Sequence, residues 1–304
     1  MHATLAYTHM VNDQKINAEI ASLSSVKMLV ETYEIVAATS MRRIRGSVLA
    51  NREFHRGLNG VFQEVKHAYR EEVLKLMQKH RINAEKGLSL IKRNGKTAYV
   101  FLSANAGLYG DIIHKTFSFF LDAVRNQPSD AVIVGKVGDA LFKQAMPDTP
   151  YTYFDFPDKD VIFENLRDIT ACLTRYEKVL VFHGIFKSFA EQKTAFSNIS
   201  GDELPHASPS AEPVRYLFEP TLETIALFFE TEIFASLLEE SFHESRLAKL
   251  ASRMMLLDRA NLNIDRTLER VSFEQRKTQH RIFNKKQLDA TRGISLWNSV
   301  NASR

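Results

Sequence analysis

The sequence predicts an α/β fold plus long helices: an antiparallel coiled coil of N- and C-terminal helices with a central Rossmann-like α/β domain. Apolar residues recur at helical spacing over two long stretches at opposite ends of the chain. Between them, strand-like runs alternate with helix-like runs. The first proline is Pro128 and none follows Pro220, so no proline interrupts either long stretch.

The N-terminal helix is predicted over residues 13–51, within a first segment of residues 13–56. Apolar positions recur every three or four residues. They are Ile16, Ile20, Leu23, Val26, Val30, Tyr33, Ala37, Met41, Ile44 and Val48. Asp13 can cap the first turn, because its carboxylate can accept a hydrogen bond from a free backbone N–H. The last turns are basic, which suits the negative end of a helix dipole. Their arginines are Arg42, Arg43, Arg45, Arg52 and Arg56.

The central segment, residues 57–220, is predicted to be the α/β domain. It begins with a helical stretch at 58–84. Strands are predicted at 97–103, 131–134, 151–155 and 178–183, and helices between them at 112–124, 137–146 and 161–176. Such alternation is typical of a parallel sheet with helices on its faces. The proline- and serine-containing residues 197–213 indicate a loop, after which residues 214–218 can add a strand.

The C-terminal segment, residues 221–304, is predicted to be one helix to about Arg292. It contains a heptad seam with alternating spacings of three and four residues. The seam consists of Leu247, Leu250, Met254, Leu257, Asn261, Ile264, Leu268 and Val271. All of these are apolar except Asn261. A seam of this period stays on one side of a helix only if the helix winds about a partner, and the N-terminal helix is the simplest partner.

No complete catalytic, cofactor or metal site is recognisable in the sequence. The run Asn94-Gly95-Lys96-Thr97 ends like a phosphate-binding loop, but Leu90 stands where the first glycine is required. Gly107 and Gly110 follow a strand and precede a helix, where an anion could bind, although a tight turn is the favoured interpretation. Scattered histidines and the single Cys172 give no metal-binding pattern. We therefore predict no catalytic residue, cofactor or metal.

The basic end of the C-terminal helix leaves two interpretations open. This stretch contains eight basic residues and only three acidic ones. The basic residues are Arg266, Arg270, Arg276, Lys277, Arg281, Lys285, Lys286 and Arg292. They can form a solvated helix face, or they can bind a polyanion such as an acidic protein surface or nucleic acid. Interleaved aromatic residues are few, which argues against binding of single-stranded nucleic acid.

Two further absences bear on location. No run of 18 apolar residues occurs, so no transmembrane helix is predicted. The first ten residues lack the pattern of a signal or transit peptide, so we expect a reducing cytosolic compartment.

The segment Ile20–Arg43 resembles the opening helix of the gamma subunit of F-type ATP synthases, most closely over Val36–Arg43. The turn Ser103–Gly110 and the run Tyr216–Pro220 resemble the same family. Further matches follow along the C-terminal helix, so that the resemblance covers nearly the whole chain. They are Arg253, Met254, Asn263, Asp289 and Gly293.

The resemblance implies a rotor shaft that couples ion flow through a membrane ring to ATP synthesis or hydrolysis, without bond chemistry of its own. It implies alpha, beta and epsilon subunits and the membrane c-ring as partners, with no nucleic acid and no direct membrane insertion. The implied place is the cytoplasmic face of a bacterial inner membrane. The residues expected to contact the alpha/beta head are Arg42, Arg43, Arg45, Arg253, Asn263, Arg276, Lys277, Arg281 and Lys286. The alternative is a coiled-coil scaffold or nucleic-acid-binding protein of similar fold.

The sequence also departs from the family pattern at identifiable places. Asn105 and Ala106 stand in the turn where the family usually has Asp and Lys or Arg. Toward the C-terminus the family usually has an Arg-Gln pair, then Thr and Glu, whereas this chain has Gln279-His280, Asn284 and Lys286. We therefore expect a divergent or alternative member of the family with altered head contacts.

Overall fold

The computed structural model of the chain describes residues 2–68, 93–158, 163–189, 191–200, 219 and 221–301. The helices and strands follow the predicted order. They are α1 (His2–Ala68), β1 (Thr97–Leu102), α2 (Ile112–Asn126), β2 (Asp130–Val134), α3 (Lys136–Ala145), β3 (Tyr151–Phe154), α4 (Phe163–Leu173), β4 (Lys178–Phe186), β5 (Gln192–Asn198) and α5 (Leu222–Asn301). The chain divides into two compact units, one of residues 1–36 with 257–304 and one of residues 37–256.

The two terminal helices are longer than the sequence predicts. α1 has 67 residues and α5 has 80. α1 runs through the expected break near residue 51, because helices tolerate Gly57 and Gly60 at a modest cost. The part of the predicted 58–84 helix beyond Ala68, and the possible strand at 214–218, lie outside the described residues. Thr221 begins α5 as predicted, since its hydroxyl accepts a hydrogen bond from the Thr224 N–H at 3.2 Å.

In the first unit, α1 and α5 pair in antiparallel directions. Lys27 Nζ lies 2.6 Å from Asp265 Oδ1, and Asn261 Nδ2 donates to Glu34 Oε2 at 3.0 Å. Residues later in α1 therefore face residues earlier in α5. The less exposed α1 positions follow a strict heptad. They are Ile16, Ile20, Leu23, Lys27, Val30 and Glu34.

Two positions of the predicted α1 face are therefore wrong. Val26 and Tyr33 are 44% and 52% exposed, and Lys27 and Glu34 occupy the seam in their place. The sequence interpretation chose the apolar residue at each turn. The heptad register instead requires the next residue, and α5 supplies a polar partner for each of the two polar side chains.

In the second unit, the same two helices pack through an apolar seam. Its members are buried: Ala37, Met41, Ile44, Val48, Leu247, Leu250 and Ala251. Met254 and Phe186 pack against them. No polar pair interrupts this cluster of described residues, so its stability comes from burial of apolar surface.

The central domain of the second unit is a five-stranded sheet of order β3-β2-β1-β4-β5. The first four strands are parallel, and β5 is antiparallel to β4. Helices α4 and α5 cover one face of the sheet through a core that includes Leu166, Leu238 and Phe242. Helices α2 and α3 cover the other face, where Phe120 and Phe142 are fully buried. This arrangement confirms the predicted fold class.

Strand β5 was not predicted. Its sequence, Gln192–Asn198, is mostly polar, and its last two residues fall within the expected 197–213 loop. The strand forms because β4 offers a free edge after the parallel set is complete, and seven residue pairs join the two strands. Within the described chain, no helix is long and apolar enough to cross a membrane.

Candidate partner-binding surfaces and the strand-end turn

The basic residues near residue 45 of α1 are exposed in the second unit. Arg42, Arg43 and Arg45 lie beside the buried seam positions, and no described residue forms an ion pair with them. Arg42 and Arg45 border an open groove with an apolar floor. The floor includes Met41, Val48, Phe186, Phe189, Leu247 and Met254. Glu244 also lines this groove, so apolar side chains lie there beside both guanidinium groups and a carboxylate.

The predicted head-contact residues of α5 in the first unit are also exposed. They are Asn263, Arg276, Lys277, Arg281 and Lys286. Arg276 donates from Nε to the Ser272 carbonyl of its own helix at 3.4 Å. The remaining basic groups stand on a solvent-facing helix surface, where they can meet an acidic partner with little desolvation cost.

Exposed apolar side chains of the first unit are a feature that the sequence interpretation missed. On α1 they fall within eleven residues: Val26, Met28, Leu29, Tyr33, Ile35 and Val36, with exposures of 44% to 68%. On α5 they include Leu262, Phe273, Phe283 and Leu288. The available signal was the density of apolar residues between 26 and 36, which exceeds what one seam needs. Surfaces of this kind usually mark an interface.

The seam residues of α5 differ in burial along the helix. Leu247, Leu250, Leu257 and Val271 are buried, whereas Met254, Asn261, Ile264 and Leu268 are half-buried. Asn261 lies on the side of α5 that meets α1, because its amide bonds Glu34.

The turn that follows β1, Ser103–Gly110, is called here the strand-end turn. Leu108 and Gly110 have positive φ angles of 65° and 62°. A Cβ atom at Gly110 would clash with Ser252 Oγ on α5, so a larger residue would force this hydroxyl to move and would itself have to adopt an unfavourable positive φ. The expected tight turn is therefore present, and it lies directly against α5.

Two cations of α5 bind the carbonyl groups of the strand-end turn. Arg253 donates from Nη2 to Gly107 O at 2.8 Å and from Nε to Leu108 O at 3.2 Å. Its guanidinium also stacks 3.9 Å from the centre of the Tyr109 ring. Lys249 Nζ donates to Ser103 O at 2.6 Å. Arg253, which was expected to face the alpha/beta head, binds its own α/β domain here.

A carboxylate binds the N–H groups of the same turn. Asp158, which follows β3, accepts hydrogen bonds from the Asn105 N–H at 3.0 and 3.1 Å and from the Ala106 N–H at 2.7 Å. The Asn105 side chain donates to Asp155 and accepts from the Lys136 N–H. The place in this turn where an external anion could bind is thus taken by the chain's own Asp158.

The electrostatics of this region follow from burial. Burial lowers the pKa of Lys249 to about 8, although the Asp158 carboxylate opposes this shift. Burial, and then the Asp158 charge, raise the pKa of Tyr109. Burial likewise lowers the pKa of His183, on the neighbouring strand β4, to about 4, so this ring is neutral at physiological pH. In the described part of the chain, no cluster of three metal-binding side chains occurs.

Comparisons with known proteins agree on one family. A family model described as ATP synthase matches residues 12–284. The ATP synthase gamma chain of Cytophaga hutchinsonii is 24% identical over 309 residues, covering 94% of this chain and 99% of that one. The ATP synthase gamma chain of Clostridium acetobutylicum is 23% identical, covering 85% and 89%.

A solved structure shares the fold. A chain of the central stalk and c-ring of the Tetrahymena thermophila mitochondrial ATP synthase matches with a TM-score of 0.53 and 17% identity. The match covers 76% of this chain and 99% of that one.

Proposed function

The chain belongs to the ATP synthase gamma family, and we propose that it works as the central-stalk rotor shaft of an F-type ATP synthase. In this role it couples ion flow through a membrane ring to ATP synthesis or hydrolysis at an alpha/beta head. The observation that carries the proposal is the family match over residues 12–284, which includes the whole sheet and most of both long helices.

The proposed partner of the first unit is a ring of alpha and beta subunits. Its exposed apolar side chains, such as Met28 and Ile35 at 68% and 67% exposure, would be covered by such a ring. Its exposed basic side chains, Arg276, Lys277, Arg281 and Lys286, would meet acidic groups of the ring. Arg42, Arg43 and Arg45 of the second unit are proposed to make similar contacts with acidic groups of the ring.

The chain itself is proposed to be non-catalytic. Its helices present different side chains on different sides, so they would bind the three beta subunits unequally. Unequal binding shifts each beta subunit toward a different conformation and thereby changes its affinity for nucleotide. The α/β domain is proposed to meet the epsilon subunit and the c-ring, which would place the protein peripherally at the cytoplasmic face of a bacterial inner membrane.

Co-purification tests this function. The chain, expressed with the alpha and beta subunits of its own organism, should form a stable complex whose ATPase activity requires all three proteins. The isolated chain should hydrolyse no ATP. Recovery of nucleic acid in place of these subunits would overturn the proposal, as would ATP turnover by the isolated chain that is abolished by a substitution within it.

A further inference from the structure

We propose that Asp158 is a positioning residue that holds the strand-end turn in the conformation in which α5 binds it. The role suggested for this joint in torque transfer rests on the proposed function, whereas the positioning itself does not. The residues concerned all lie in the second unit.

The backbone N–H groups and carbonyl groups of the strand-end turn have different partners. Asp158 occupies its N–H groups, at Asn105 and Ala106. Lys249 and Arg253 of α5 occupy its carbonyl groups, at Ser103, Gly107 and Leu108. A carboxylate can only accept hydrogen bonds, and the ammonium and guanidinium groups can only donate them. The N–H groups of the turn are thus bound by an anion, and its carbonyl groups by two cations.

Asp158 acts on the bonds of Lys249 and Arg253 through the backbone of the turn. The N–H groups that it binds, at Asn105 and Ala106, lie between the Ser103 carbonyl bound by Lys249 and the Gly107 and Leu108 carbonyls bound by Arg253. Charge-assisted hydrogen bonds of this kind are shorter and stronger than neutral ones. Asp158 therefore holds the part of the turn between the carbonyl groups that α5 binds, and its negative charge also favours the ammonium form of Lys249.

The strand-end turn contains a backbone conformation that neighbouring contacts must stabilise. Leu108 has φ of 65°, which is unfavourable for a residue with a side chain, and its carbonyl is one that Arg253 binds. Such a conformation persists only where neighbouring contacts fix it. Asp158 binds the start of the turn, and Ser252 of α5 lies close to Gly110 at its end.

In a rotor, the strand-end turn would help to transfer torque between the α/β domain and α5. Torque that passes between the α/β domain and α5 would twist the helix relative to the sheet unless side chains join the two. The strand-end turn is such a joint, since it connects the end of β1 to α5 at Lys249 and Arg253. If these contacts were weaker, α5 would twist relative to the sheet and less torque would be transferred.

The test compares Asp158→Asn with Asp155→Asn in the full-length chain. Both changes remove one charge from the same loop, but Asp155 contacts the Asn105 side chain and not the backbone of the turn. Hydrogen–deuterium exchange of the Asn105 and Ala106 amides should be at least about tenfold faster in Asp158→Asn and nearly unchanged in Asp155→Asn. Equal exchange in the wild type and Asp158→Asn would overturn the proposal.

A double-mutant cycle tests whether Asp158 acts through the turn on α5. The loss of thermal midpoint in Asp158→Asn with Arg253→Met should be smaller than the sum of the two single losses, because each change breaks the same joint. Additive losses would overturn the positioning role. In the assembled complex, Asp158→Asn should lower ATP-driven ion pumping by a larger factor than ATP hydrolysis. Equal loss of both would overturn the torque role and leave the family assignment standing.

Discussion

The two units differ in how the same pair of helices packs. In the second unit the apolar seam (Ala37, Met41, Ile44, Val48, Leu247, Leu250 and Ala251) is buried. In the first unit the seam also contains buried apolar residues such as Ile16, Leu257 and Val271, but two polar pairs interrupt it, Lys27 with Asp265 and Glu34 with Asn261. This seam of the first unit is called the interrupted seam. Large apolar side chains there point outward, as Met28 and Ile35 do.

This difference indicates how each part is stabilised. The apolar seam removes its own hydrophobic surface from water and needs no partner. The interrupted seam contains two polar pairs, which specify register more than they stabilise, and the helices around it leave large apolar side chains exposed. We infer that the first unit is built to be enclosed by other subunits.

The largest expected effect comes from truncating the apolar seam. Ile44 is only 2% exposed, so Ile44→Ala should lower the free energy of unfolding by about 2–4 kcal/mol through lost burial and a residual cavity. Ile35→Ala is the matched control, because Ile35 is 67% exposed and its truncation should change stability by less than about 0.5 kcal/mol. Urea unfolding of the isolated chain measures both. If both variants lost the same free energy of unfolding, the proposed difference between the buried Ile44 and the exposed Ile35 would be contradicted.

A second prediction compares a lysine from each unit. The pKa of Lys249 in the folded chain is lowered to about 8, whereas the pKa of Lys27 is raised by its hydrogen bond with Asp265. Between pH 8 and 10.5 the unfolded chain holds a proton on Lys249 that the folded chain has released. Raising the pH through this range therefore favours the folded state, by on the order of 1–3 kcal/mol.

The measurement is the difference in unfolding free energy between the wild type and Lys249→Met from pH 7 to 10.5. We expect the wild type to gain relative to the variant as the pH rises. Lys27→Met is the control and should show no such gain, because a raised pKa supplies stability that is lost only above pH 10.5. A flat difference for Lys249→Met would mean that this ammonium is well solvated.

The third prediction concerns Arg42 and Arg43, exposed beside the apolar seam. Each exposed ion pair is worth only about 0–1 kcal/mol, so the double change to alanine should leave the complex assembled. A rotating shaft re-forms such contacts at every step, so ATP-driven ion pumping should fall by a larger factor than hydrolysis. Loss of both in equal proportion, or failure to assemble, would show that these arginines are not coupling contacts.

The smallest effect should follow from removing a polar residue from the interrupted seam. Asn261 Oδ1 is buried and has no hydrogen-bond partner among the described residues, although Nδ2 bonds Glu34. Asn261→Leu removes that unpaired oxygen, while the half-exposed Glu34 can turn to water. The thermal midpoint of the isolated chain should rise by about 1–3 °C. An unchanged or lower midpoint would place Asn261 outside the seam.

Sequence reasoning located the sheet because strands β1, β2 and β4 are buried on both faces and therefore read as apolar runs. It missed β5, whose polar residues pair with β4 at an edge, where composition is weakly constrained. It also chose Val26 and Tyr33 for the α1 seam, since a pattern of apolar residues cannot reveal that α5 pairs Lys27 and Glu34.

The strand-end turn shows a further limit. Gly107 and Gly110 indicate the turn in the sequence, but Asp158 and Lys249 lie 48 and 139 residues after Gly110 and carry no motif. Asp158 reaches the turn from the loop after β3, which lies two strands from β1 in the sheet, and Lys249 reaches it from α5.

The central claim, that this chain turns inside an alpha/beta ring, is tested most directly by observing rotation. Asn126 is exposed on the α/β domain and can carry a bead as Asn126→Cys, with the half-buried Cys172 replaced by alanine. In a complex with immobilised alpha and beta subunits, ATP should drive continuous rotation of the bead in one direction. A stable complex that hydrolyses ATP while the bead only fluctuates about a fixed angle would contradict the account.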